Sequence, residues 1–208
     1  MVDMKKFFVL ILFFSSLVSL KAQNYDHHEF SLSYGVISPD VFYSFNSPLL
    51  NDQLPDERYV RDNYSSMGNI FLTYRFVSLN EYFMWGGTAG YGTSSADVYY
   101  MSEKKGVMDR QFITGAFEVQ FRYVNNGPFQ MYSGLGLGVT YGMEQFTAAT
   151  DNITSGDRTM ILPGYQVNLV GVRFGKRLGG FAEFGFGYKG IVNFGLSYSI
   201  YKFGHRNY

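Results

Sequence analysis

The chain holds 208 residues with 17 basic and 17 acidic side chains and no cysteine, a length that suits one domain. Disulfides, cysteine-ligated metals and thiol chemistry are excluded, and the balanced charge, with no block of one sign, leaves no nucleic-acid footprint. A mean hydropathy of −0.08 would class the chain as soluble, a test that barrels with one polar face evade.

Residues 1–22 have the form of an export signal. Lys5 and Lys6 precede the uncharged apolar run Phe7 to Leu20, and the expected cut follows Ala22. That run is shorter than the ~20 residues with which a helix spans a bilayer. No Cys follows it, so a lipid-modified N-terminus is excluded. Export would remove Asp3, Lys5, Lys6 and Lys21 and leave residues 23–208 with a net charge of about −2. An exported chain without cysteine fits a bacterial envelope better than a eukaryotic secretory route.

From Glu29 onward the pattern is alternation with a period of two, the mark of strands. The first strand, Glu29 to Val36, sets Phe30, Leu32, Tyr34 and Val36 against Glu29, Ser31, Ser33 and Gly35. An irregular segment at about 37–66 contains Pro39, Pro48 and Pro55. The second strand sets Ile70, Leu72, Tyr74 and Phe76 against Phe71, Thr73 and Arg75; after a turn near Leu79-Asn80, the third sets Phe83, Trp85, Ala89 and Tyr91 against Met84, Thr88 and Gly90. A polar loop is expected at about 93–111. The fourth strand places Ile113, Phe117, Phe121 and Tyr123 opposite Thr114, Glu118, Gln120 and Arg122. Asn125-Asn126-Gly127 is a tight-turn signal. The fifth strand carries Leu135, Leu137, Val139 and Tyr141 on one face and Gly134, Gly136, Gly138 and Thr140 on the other. A third polar loop is expected at about 143–163. The sixth strand centres on Val170, Val172 and Phe174 with Arg173 opposed, the seventh sets Phe184, Phe186 and Tyr188 against Glu183, and the eighth ends near Tyr201.

The apolar face of these strands is bulky and aromatic, while the polar face mixes small residues with charges. A soluble barrel turns its polar face to water and buries its greasy one. Here the bulk fits better outside, which predicts an all-β fold, an eight-stranded antiparallel up-and-down transmembrane β-barrel. Long connections after strands one, three and five alternate with brief ones after two, four and six, as outer loops alternate with periplasmic turns. Tyr34, Tyr91, Tyr141 and Tyr188 then fall at the outer ends of ascending strands, where an aromatic ring with a wet hydroxyl suits a membrane interface. The lumen-facing charges are Glu29, Arg75, Glu118, Arg122, Arg173 and Glu183. Eight strands leave room only for side chains, so these six are expected to form one structural ion-pair plug. A turn symmetric about Leu178 would set Arg173 opposite Glu183. The inward glycines are expected to seat Phe71, Tyr132 or Phe112, or to mark strand bends, rather than to line a conduit.

The runs Gly171-Val172-Arg173-Phe174-Gly175-Lys176, Gly179 to Gly190 and Val192 to Tyr198 resemble the small outer-membrane β-barrel proteins of Gram-negative bacteria, with their OmpA/OmpX-like eight-stranded barrel domain. The resemblance is closest over the C-terminal third and is one of pattern over strands one to five. It implies a bacterial outer-membrane location, membrane lipid and lipopolysaccharide as surroundings, and periplasmic chaperones and the outer-membrane assembly machinery as partners. Asn193, Gly195, Tyr198 and Ile200 fit the spacing of the last-strand insertion signal. Members of the family usually stop at the last aromatic, whereas this chain continues through residues 202–208.

Catalytic readings find little support. His27, His28 and His205 lie near the ends of the chain and are expected off the strands, so a Ser-His-Asp arrangement lacks its base. Asp97 with Glu103, or Asp151 with Asp157, would be acid pairs on loops with nothing to fix their geometry. No cofactor or metal site is expected. The expectation is a monomeric, non-enzymatic membrane protein that meets partners through outer loops. The alternatives are a narrow porin-like channel for small solutes and, less favoured, a soluble lipid-binding barrel.

Overall fold

The computed structural model of the chain describes residues 25–36, 50, 59–150 and 152–201. Eight strands follow in chain order: β1 (Tyr25–Val36), β2 (Tyr59–Ser78), β3 (Phe83–Tyr100), β4 (Glu103–Asn126), β5 (Phe129–Ala148), β6 (Gly156–Gly175), β7 (Leu178–Gly187) and β8 (Val192–Tyr201). Each pairs antiparallel with the next, and β1 pairs with β8, so the sheet closes on itself. Closure leaves no unpaired edge around the ring, which answers the hazard of exposed backbone donors and acceptors. Residues 1–24, with the expected export signal, and 202–208, with His205, lie outside the described residues.

The alternation seen in the sequence becomes an inside and an outside. Leu32, Leu137 and Phe174 point outward and are 58 %, 72 % and 68 % exposed, whereas Glu118, Arg122 and Arg173 point inward and are at most 3 % exposed. The wall is therefore apolar without and polar within, opposite to the core of a water-soluble barrel.

Two expected loops are strand instead. The segment at 93–111 is the outer half of a β3–β4 hairpin that turns through Met101-Ser102, both at positive φ. The one at 143–163 is the continuation of β5 to Ala148 and the start of β6 at Gly156. In the first segment, 37–66, residues from Tyr59 on belong to β2, and most of the remainder lies outside the described residues. The alternation loses contrast here because the outward positions become polar: Thr93, Ser95 and Asp97 face out while Ser94, Ala96 and Val98 face in. The ladder itself runs on, with Thr93 paired to Gln111 and Asp97 to Val107.

As a result β2 to β6 have 18 to 24 residues each, against 10 to 12 for β1, β7 and β8. The long strands rise past the ring as a sheet at the far end, opposite the end where His27 pairs with Tyr201. Leu50, Val98, Met108 and Phe146 pack together on the inner side of that sheet, all nearly inaccessible to solvent. His27 and His28 belong to β1 rather than to irregular chain. The His27 ring lies tilted against Tyr201, with centroids 4.5 Å apart, and His28 Nδ1 meets the Tyr74 hydroxyl at 2.5 Å.

Candidate functional site

The lumen is the one place where buried charge converges among the described residues. A single cross-strand row runs through Glu29, Arg75, Gly86, Glu118, Gly136, Gln166 and Gly187, from β1 to β7. Alternation points all of these inward, and the glycines leave room for the long side chains between them. Arg75 is the hub, reaching Glu118 at 3.1 Å, Glu29 at 3.3 Å and Glu183 at 3.8 Å. Arg173 Nε lies 3.5 Å from Glu29 and Arg122 Nη2 lies 3.9 Å from it. The structure thus gathers all six lumen charges expected from the sequence into one cluster.

Lys189 is a member that the strand pattern did not reveal. Its ammonium lies 2.6 Å from Glu118 and 3.7 Å from Glu183. It sits in the short connection between β7 and β8. Gly187, at φ +138°, ends β7, and Tyr188 then donates its backbone N–H to the Tyr165 carbonyl. The connection folds over the lumen and carries both Tyr188 and Lys189 inside.

This corrects the reading of Tyr188 as an interface aromatic. Its ring is 3 % exposed and its hydroxyl donates to Glu118 at 2.8 Å. The outward alternation that holds through Phe184 and Phe186 stops where the strand stops, so the next side chain is not bound by it. Tyr34, Tyr91 and Tyr141 do face outward, 36 % to 47 % exposed. They share one external row that alternates tyrosine with isoleucine: Tyr34, Ile70, Tyr91, Ile113, Tyr141, Ile161.

The register of the β6–β7 hairpin also differs from the one expected about Leu178. The β6–β7 turn is Lys176-Arg177, with Gly175 paired to Gly179, so Arg173 faces Phe181 and Glu183 faces Gly171. Arg173 is held from elsewhere. It donates to Ser197 Oγ at 2.6 Å and to the Gly175 and Lys176 carbonyls at 2.8 and 2.9 Å. Glu183 accepts from Tyr132 at 3.0 Å, Asn193 at 2.8 Å and Gln120 at 3.3 Å. Arg122 donates to the Glu81 carbonyl at 3.2 Å, which ties the β2–β3 turn across the mouth of the lumen. Glu118 and Glu183 therefore meet both cations and neutral donors, the condition under which buried charge is tolerated, while Glu29 is met by the three arginines Arg75, Arg122 and Arg173.

Of the residues matching an insertion signal, Asn193 is inward and buried, Gly195 is half-buried, and Tyr198 and Ile200 are outward and about 45 % and 43 % exposed. Higher in the lumen is an ion pair that the sequence reading missed, Arg110 with Glu144 at 2.6 Å. Both residues fell within, or at the edge of, segments taken for loop. Between the two charge clusters Phe71 packs against Gly90, where any Cβ would collide with its ring; within the lower cluster Tyr132 lies similarly over Gly171. A cavity of about 20 Å³ lies beside Phe71, Phe112 and Tyr188, hardly more than one water occupies. The acid pairs weighed on loops do not form as such: Asp97 binds Lys104 at 2.7 Å and Glu103 binds Lys105, while Asp151 lies outside the described residues. Among the described residues no three His, Cys, Asp or Glu side chains come together as a metal site.

The arrangement is that of a closed scaffold: a polar lumen filled and cross-linked by its own side chains. No protein-family model matches this chain, and a search of curated proteins finds no match.

Proposed function

We propose that this chain is an integral protein of a bacterial outer membrane, non-enzymatic, whose ring anchors it in the bilayer and whose far-end sheet meets partners outside the cell. The observation that carries this reading is the sharp change of chemistry along the outer wall. Below the Tyr34–Ile161 row the outward residues are mostly Phe, Leu, Val, Ile, Trp and Tyr, with Gly and Ala among them; one step above it β3, β4 and β6 present Thr93, Gln111 and Thr159, while β1 and β5 present Val36 and Met143. The stretches with an apolar outer face, Phe83 to Tyr91 and Ile113 to Tyr123, match the roughly 9–11 residues with which a tilted strand crosses the hydrocarbon. An exposed apolar surface of this extent, wrapped around a polar centre, is far beyond what a soluble monomer presents.

The sealed lumen supports an anchor over a conduit. Eight-stranded walls hold side chains, not an aqueous channel, and here those side chains are interlocked ions and aromatic rings. Recognition then falls to the far-end sheet, whose outward positions mix polar residues such as Thr93, Asp97 and Gln111 with exposed Val60 and Met67. An export signal at 1–22 and the last-strand residues Asn193, Gly195, Tyr198 and Ile200 belong to this reading as the route to the membrane.

The test is fractionation and electrophoresis of the full chain. The protein should pellet with outer membranes, require detergent for extraction, and migrate differently before and after boiling, as closed barrels do. Purified protein in planar bilayers should be electrically silent. Recovery in aqueous extract without detergent would overturn the membrane reading, and steady unitary conductance would replace the anchor by the channel.

A further inference from the structure

Two surface grooves on the outer wall, of about 510 and 270 Å³, meet at the Gly180 and Phe181 positions of β7. The larger crosses β8 to Leu32 and Tyr34 on β1; the smaller runs beneath Phe174 and Phe129 on β6 and β5. The depression exists because β7 presents Gly180 and Ala182 outward where its neighbours present Phe174, Phe194 and Leu196.

Gly180 has no internal reason to be glycine. Gly179 is pressed by the Arg173 guanidinium, 2.9 Å from where its Cβ would stand, and Gly185 by the Val167 carbonyl. Gly175 adopts a φ of +135°. A Cβ at Gly180 would meet only one carbonyl oxygen, at 4.0 Å. Glycine inside a strand weakens it, so packing of the barrel itself gives no ground for leaving this spot bare. At the lower end of the groove the β6–β7 turn carries two exposed cations, Lys176 and Arg177. The Arg177 carbonyl accepts the Ser199 N–H at 2.8 Å, which fixes the turn against β8. No acidic side chain lines either groove.

We infer that this groove is a seat for one anionic glycerophospholipid, its acyl chain lying over Gly180 and Ala182 and its phosphate at Lys176 and Arg177. The inference rests on the membrane reading above, since the groove lies within the apolar band and only a bilayer brings lipid to it. The occupant is set by two features together: a trough with apolar walls at hydrocarbon depth, and a cationic pair where a headgroup would emerge. Cations near a surface contribute about 1 kcal/mol each toward anionic lipid.

The experiment reconstitutes the full chain in nanodiscs of mixed phosphatidylglycerol and phosphatidylethanolamine, then extracts it in mild detergent and records retained lipid by native mass spectrometry. The wild type should keep one lipid, preferentially phosphatidylglycerol. Lys176→Gln with Arg177→Gln should lose that preference, by roughly fivefold per cation removed. Gly180→Leu should lose retention of both lipids, whereas Gly115→Leu, on an outward position of β4 that also meets nothing nearby, should retain them. Each variant is first checked for the boiling-dependent shift. If the wild type fails that check, the membrane reading falls and the groove with it. If it passes yet keeps no lipid, or keeps it equally well in Gly180→Leu, the groove proposal alone is overturned. Should Gly180→Leu fail the check, the turn variant decides: an unchanged preference overturns the proposal.

Discussion

Arg75 shows how much of this barrel rests on single side chains. Three carboxylates from three other strands approach it within 4 Å, and it is 2 % exposed. Removing one member of a buried, hydrogen-bonded ion cluster typically costs about 3–5 kcal/mol, mostly because its partners stay buried without it. Arg75→Ala is therefore expected to lower stability by that order in a urea titration of detergent-folded protein. Arg122→Ala should cost less, since its nearest carboxylate is 3.9 Å away and its hydrogen bonds go to a carbonyl and a thioether. Equal losses, or none, would mean that the cluster is not cross-linked as its distances imply. The residue types of the plug were legible because alternation forces a charged side chain on the polar face into the lumen. Lys189 and Tyr188 were not, because they lie past the end of β7, where a backbone bend sets direction instead of a period of two.

At the scale of elements, the instructive case is the β3–β4 hairpin. Its lower half reads as strand in any window of sequence, yet its upper half reads as loop, because the outward residues become Thr, Ser, Asp and Gln. Secondary structure here follows the ladder begun below: once Tyr91 pairs with Ile113, the next rungs cost little to add and bury Val98 and Met108 against Leu50 and Phe146. Near the tip, Asp97 pairs with Lys104 and accepts from Asn63 Nδ2 at 3.0 Å. The Lys104 ammonium, with Asn63, holds the Asp97 carboxyl below its usual range. A lowered carboxyl stabilises the fold above its unfolded-state pKa and loses that effect as pH falls through the folded value. Lys104→Ala should move the Asp97 titration upward toward the ordinary value of about 3.9, read by NMR in micelles; an unmoved titration would show that the ion pair does not persist in solution. The β6 strand carries a related lesson. A bulge between Asn168 and Val170 reverses which parity faces inward, so Gln166 and Asn168 are buried below the far end while Gly171 and Arg173 are buried beyond the bulge.

For the whole molecule, the ring and the far-end sheet are separable in their support. The plug lies among β1, β2, β4, β6, β7 and the β7–β8 turn, whereas the Leu50 cluster draws Val98, Met108 and Phe146 from the projecting sheet. Deleting Ala96–Met108 and joining Ser95 to Asp109, which are paired rungs, through an Asn-Gly turn should therefore leave a closed barrel that still shifts on boiling. It should also lose whatever contact the far end makes; a variant that no longer folds would show that ring and sheet are one cooperative unit. The amino-acid sequence by itself determined the strand number, the side each residue faces along regular stretches, and the sign of the lumen, because a strand has a period of two and each position answers to one medium or the other. Tertiary structure alone decided register, partner and reach. Arg173 meets Glu29 from β1 rather than Glu183 from its own hairpin, Tyr188 turns inward, and polar segments continue as strand. These outcomes depend on closure of the sheet, which brings together residues far apart in sequence, and no local pattern encodes the distance between them.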